Sequence, residues 1–123
     1  MPDTRELLTR AYSAFNARDL DAALATMHPD VDWPNGWEGG RVTGHAGVRE
    51  YWTHQWAAIN PRVDPVGFAT DDVGRTVVTV HTIVRDLAGA VVSDGMVKHV
   101  YTFEDDLIRS MEIQPEEAND QSV

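Results

Sequence analysis

Apolar and polar residues alternate most regularly between Arg75 and Ile113. The run reads RTVVTVHTIVRD, then LAGAVVSDGMVKHVYTFEDD, then LIRSMEI, and Asp86-Leu87-Ala88-Gly89 and Glu104-Asp105-Asp106 divide its three alternations. Period-two alternation rich in Val, Ile, Thr, Tyr and Phe predicts antiparallel strands joined as a meander. Successive strand side chains point to opposite faces. Val97, His99, Tyr101 and Phe103 therefore share one face, and Lys98, Val100 and Thr102 share the other. The first face is large and mostly apolar, with one titratable ring in its middle.

A different period rules the first half. Asp3 followed by Glu6 reads as a capping box. Leu7, Leu8, Ala11, Tyr12 and Phe15 form one helical stripe. Asn16-Ala17-Arg18-Asp19 interrupts it, and a shorter helix carries Leu20, Ala23, Leu24 and Met27. His28-Pro29 ends that helix, because the residue before proline is pushed out of the helical region. Val31 to Trp33 reads as a brief strand stopped by Pro34. Asn35 to Gly44 reads as a glycine-rich loop carrying Trp37. A third helix is predicted from His45 to Asn60, closed by Pro61, with Val48, Tyr51, Trp52, Gln55, Trp56 and Ile59 on one face. Val63 to Ala69 reads as a strand in which Pro65 marks an edge or a bulge, and Asp71 to Gly74 turns the chain into the meander. Helices followed by a run of strands predict an α+β fold, with helices packed on one face of an antiparallel sheet. One domain is expected over residues 1–115, with a flexible acidic tail over 116–123.

The net charge of −10 argues against nucleic acid and anionic membrane surfaces as partners, since both reward Lys and Arg. The chain has no cysteine, which excludes disulfides and thiolate metal sites and fits a cytoplasmic location. No apolar run approaches the ~20 residues needed to cross a bilayer, and MPDTRELL is charged from its third residue, unlike a signal peptide. His28, His45, His54, His81 and His99 show no HxH, HExxH or facial-triad spacing, so no metal is expected. GWEGGRVTG lacks the lysine of a phosphate loop, and no cofactor is expected.

His99 is the first chemical candidate, because an imidazole titrates near neutral pH and can act as acid, base or neutral donor. The same position suits a core histidine bonded to a backbone carbonyl or to Tyr101. His81 shares a face with Val77, Thr79 and Ile83, while Val78 and Val80 make the opposite face equally apolar. His81 is therefore either a cross-strand neighbour of His99 or a residue of the outer surface. Asp32 is a second catalytic candidate, as a base beside a dry pocket. Its alternation with Val31 and Trp33 turns it outward if Trp33 points in. Tyr12, Phe15, Trp33, Trp52 and Trp56 form an aromatic set on three elements, read either as a flat-sided cavity or as ordinary core.

The order of elements, with FNARDLDAALATMHPDVDW, GHAGVREYW and HVYTFEDDLIRSMEI, resembles the nuclear-transport-factor-2-like superfamily, in its SnoaL-like and ketosteroid-isomerase-like branches. The resemblance spans about residues 4 to 114. It implies a cone: a strongly curved, mixed but mainly antiparallel sheet, closed at one side by three helices around a hydrophobic cavity. It also implies homodimers formed through the outer sheet surface. The isomerase's catalytic set does not carry over. The place of its helix tyrosine is held by Ala11, with Tyr12 one residue along. The place of its base is held by Trp33, after Asp32, and that of its late acidic donor by His99. A small apolar molecule in the cone is the expected partner, contacted by Tyr12, Phe15, Trp33, Trp52, Trp56, His81, Val97, Tyr101 and Met111, with His99 and Asp32 as catalytic candidates. Two functions follow: a cofactor-free isomerase, cyclase or dehydratase, or a ligand-binding or association module without turnover.

Overall fold

The computed structural model describes residues 4–35 and 39–115. Asp3, Trp37 and the 116–123 tail lie outside them. Helix α1 (Thr4–Asn16) buries Leu7, Leu8, Ala11 and Tyr12, the stripe that its spacing predicts. Arg18 then takes a left-handed φ of 63° and donates to the carbonyls of Phe15 and Pro61 and to the side chain of Asn60. This clamp turns the chain into α2 (Leu20–Leu24), whose cap Asp19 accepts the Ala22 N–H at 3.1 Å.

Helix α2 is shorter than its apolar spacing predicts. Met27, His28 and Pro29 do not close a helix but open strand β1 (Met27–Pro34). Proline tolerates a strand where the ladder is broken, and the register of β1 shifts between Met27 and Asp32. Strand β2 (Arg41–Thr43) lies where a loop is predicted, and three residues are too few for alternation to show. Helix α3 (Gly44–Ala58) stops before Asn60, because Ile59 is already extended and Asn60 and Pro61 begin strand β3 (Asn60–Thr70).

The predicted meander is present as β4 (Thr76–Arg85), β5 (Val91–Glu104) and β6 (Leu107–Pro115). Asp86 ties the first turn by accepting the N–H groups of Ala88 and Ala90. Asp105 and Asp106 both take positive φ, 55° and 64°, between the paired residues Glu104 and Leu107. That is a two-residue hairpin of the I′ kind. The sheet runs β2-β1-β6-β5-β4-β3, with β1 and β6 parallel and the other neighbours antiparallel. It is a mixed, curved α+β sheet that stays open, with β2 and β3 as its edges. Helix α3 packs on β1, β2 and β3, and α1 packs on β3.

Cross-strand register decides which face is inside. Val78 stands opposite His99 and Val80 opposite Val97, and both valines are 0% exposed. Their face is the core. His81 therefore points to the outer face, where its Nε2 lies 2.7 Å from Asp94 Oδ1, and the expectation that it contacts a cavity ligand is corrected.

Asn16 links α1 to the sheet as a strand would. Its Nδ2 donates to the Val63 carbonyl at 2.7 Å and its Oδ1 accepts the Val63 N–H at 2.9 Å. Asn16→Ala leaves both backbone groups unpaired and should lower stability by about 1–3 kcal/mol in urea titration. A loss of only a few tenths would show that this pair does not hold β3 to α1.

Candidate active site

A cavity of about 450 Å³ opens between α1, α3 and the inner face of the sheet. Exposure along β5 gives its direction. Tyr101 is 2% and His99 7% exposed, Val97 is half-buried and Ser93 is exposed, so the cavity deepens toward Tyr101 and opens toward Ser93. Its wall is built from edge-to-face rings. Trp33 on β1 meets Trp52 on α3 at 5.7 Å and 87°, and Phe15 on α1 meets Trp52 at 5.0 Å and 79°. Such pairs fix ring planes as well as burying area.

Three polar groups sit at the deep end. The Tyr101 hydroxyl donates to Tyr12 Oη at 2.7 Å, and Tyr12 Oη lies 2.8 Å from His99 Nδ1. Each hydroxyl has one proton. With Tyr101 donating to Tyr12, the Tyr12 proton goes to Nδ1, and the neutral ring carries its own proton on Nε2. The ring is neutral because burial pushes its pKa from 6.5 down to about 4. Burial, reinforced by their closeness to each other, holds the Tyr12 hydroxyl far above the usual phenol range; burial alone raises that of Tyr101, against its bond to Tyr12. Among the described residues, no Asp or Glu lines the cavity. The site therefore presents a neutral N–H donor on an apolar wall.

The cavity gathers most of the residues expected to contact a ligand: Tyr12, Phe15, Trp33, Trp52, Val97, His99, Tyr101 and Met111. Two more expectations are corrected. Asp32 is not at the cavity, because Val31 and Trp33 hold the inner face of β1 and alternation turns Asp32 outward. There it accepts Arg41 Nε at 2.7 Å. Trp56 lies one helical turn beyond Trp52 and packs behind it, 5.7 Å away and tilted by 30°, with the Arg18 guanidinium 5.0 Å over its ring. Ile59, Pro61, Val63, Thr82, Val84, Ser93 and Ile113 also line the cavity and were not foreseen as contacts. Thr82 and Val84 follow by parity once Val78 is paired with His99. That pairing is the signal the alternation alone lacks.

Outside the cavity, His28, Glu104 and Asp105 bring ligand-type atoms within 4.8 Å of one another, although their sequence spacing shows no such group. His28 Nδ1 accepts the Asp30 N–H at 3.0 Å and its Nε2 lies 3.4 Å from Asp105 Oδ2. The arrangement is a surface contact between the His28 ring and the Asp105 carboxylate.

Residues 8–111 match the SnoaL-like domain family, and the chain belongs to that family, within the nuclear-transport-factor-2-like superfamily. TerC, crystallised with polyporic acid, is 30% identical, with 92% of this chain and 91% of that one covered and a TM-score of 0.79. A candidate polyketide cyclase from Sinorhizobium meliloti is 22% identical over 93% of this chain and 95% of its own, at a TM-score of 0.75. A Mycobacterium tuberculosis protein in complex with estradiol-17β-hemisuccinate is 17% identical over 88% and 89%, at 0.74. The last two share the fold. No curated protein matches the sequence.

The low pKa of His99 has a consequence for stability. The unfolded imidazole takes its proton near 6.5 and the folded one only near 4. Between those values the unfolded chain binds more protons, so folding stability falls as the pH falls. Between pH 7 and pH 4 the native protein should lose on the order of 3 kcal/mol more than His99→Gln does. Parallel stability curves from denaturant titrations of the two proteins would show that His99 is charged in the fold.

Proposed function

We propose that this SnoaL-like domain holds an apolar, ring-bearing small molecule in its cavity. It acts on that molecule without a cofactor, as a hydrogen-bond donor to charge developing on an oxygen, in chemistry of the isomerase, cyclase or dehydratase kind. The observation that carries this reading is the Tyr101–Tyr12–His99 chain, which presents an Nε2–H from the deep end of a mostly apolar cavity.

The chemistry follows from what the chain can and cannot do. A fixed N–H in a dry site stabilises charge developing on a carbonyl or phenol oxygen. Full transfer of that proton would draw the Tyr12 proton to Nδ1 and then the Tyr101 proton to Tyr12, leaving a buried phenolate. Burial opposes that ionisation. Negative charge therefore stays on the bound molecule, and His99 polarises rather than ionises. Enolisation and ring closure onto a carbonyl are reactions that such polarisation assists.

A second reading, binding without turnover, is favoured by one observation: among the described residues no carboxylate lines the cavity to take a proton from carbon. Polyporic acid and estradiol-17β-hemisuccinate, found with two structural neighbours, are the first probes. Saturable quenching of tryptophan fluorescence should report entry, since Trp33 and Trp52 form the wall. For a compound that is also turned over, His99→Ala should cut the rate by about 10²–10³ while leaving its dissociation constant within about tenfold. Quenching without turnover in the native protein would leave the binding reading. Equal rates in the native protein and His99→Ala would remove His99 from the chemistry.

A further inference from the structure

Gln55 interrupts the apolar stripe of α3. Tyr51, Trp52 and Gln55, with Ile59 just past the helix, all line the cavity, so helical spacing sets Gln55 on the lining face. Trp52, just before it, meets Trp33, whose ring neighbours Tyr101 at the deep end. Ile59, one turn after it, leads into Pro61, whose partner Val84 pairs with Ser93 at the open end. Gln55 therefore stands on the helix side of the cavity, between its two ends.

A half-buried amide in an aromatic stripe is costly unless its polar atoms are bonded. Packing alone would be served better by Leu or Met, which form helix as readily. The amide can donate two hydrogen bonds and accept two. Among the described residues its side chain makes one, from Nε2 to Tyr51 Oη at 3.4 Å, longer than the usual range, and Oε1 has no partner. Thr82 Oγ1 and Trp56 Nε1 are sealed in without a partner, whereas Gln55 Oε1 is not: it keeps accessible surface. The deep end cannot satisfy it, since the Tyr12 and Tyr101 protons already go to His99 and Tyr12. Gln55 thus holds an open acceptor on the wall of a cavity whose deep end holds a donor.

We propose that Gln55 sets the hydrogen-bonding pattern of the ligand. Its Oε1 accepts a hydroxyl of the bound molecule, while His99 Nε2–H donates to a carbonyl oxygen at the deep end. This rests on the reading that the cavity takes a ligand, and it narrows the ligand's class to a ring compound bearing both a carbonyl and a hydroxyl. An acceptor and a donor facing one molecule discriminate by pattern, because an analogue without the hydroxyl leaves Oε1 unpaired.

Calorimetric titration with 1-tetralone, its 6-hydroxy and 7-hydroxy derivatives and their methyl ethers tests this. The native protein should bind one hydroxytetralone about fivefold more tightly than 1-tetralone, the size of one added hydrogen bond. The matching methyl ether has no proton to donate and should lose that gain. Gln55→Leu keeps the helix and removes the amide. It should bring the hydroxytetralone to within about twofold of 1-tetralone and leave 1-tetralone binding unchanged, with a thermal melt showing that the variant is folded. If 1-tetralone binds but neither hydroxyl improves on it, or the gain survives in the methyl ether or in Gln55→Leu, the Gln55 contact is overturned and the cavity reading stands. If the native protein binds none of these compounds, both fall together.

Discussion

Two phenol hydroxyls and an imidazole share the buried end of this molecule, and each takes its hydrogen bond from the next. The rest of the site depends on that chain. Tyr12 comes from α1, and His99 and Tyr101 from β5, so the 2.7 Å and 2.8 Å bonds fix the distance between the first helix and the middle of the sheet. Burial keeps all three groups neutral. A charged imidazole there would need a counter-ion, and the aromatic wall offers none. Neutrality lets the surrounding side chains stay apolar, and the apolar wall in turn enforces neutrality.

The fold brings four elements to one place. The parallel pairing of β1 with β6 sets Trp33 beside the meander, and α3 lays Trp52 edge-on against it. Val78 and Val80 fill the floor beneath His99 and Val97. The two strand edges stay open, with β3 held to α1 by Asn16 rather than by another strand. A space of about 450 Å³ remains between these rings and the strands.

Features carried by local period were legible in the sequence. The alternation from Arg75 onward marked three strands, and the helix stripes found Tyr12, Phe15 and Trp52. Features set by pairing were not. Both faces of β4 are apolar, so only the register of Val78 with His99 turns His81 outward. Pro29 looked like the end of a helix because a proline that tolerates a broken strand ladder leaves the same local mark. Asp32 was an ambiguous neighbour of Trp33 until Arg41 appeared beside it on a strand too short to announce itself. Trp56 shares a stripe with Trp52 yet falls behind the cavity, packed against Phe15 and Trp52 with the Arg18 guanidinium over its ring.

The chemistry of the site depends most directly on the state of one ring, which nitrogen-15 NMR of the His99 imidazole measures. At pH 7 the ring should be neutral and protonated on Nε2, with a bare, hydrogen-bonded Nδ1, and should charge only near pH 4. A ring charged at pH 7, or carrying its proton on Nδ1, would contradict the neutral N–H donor.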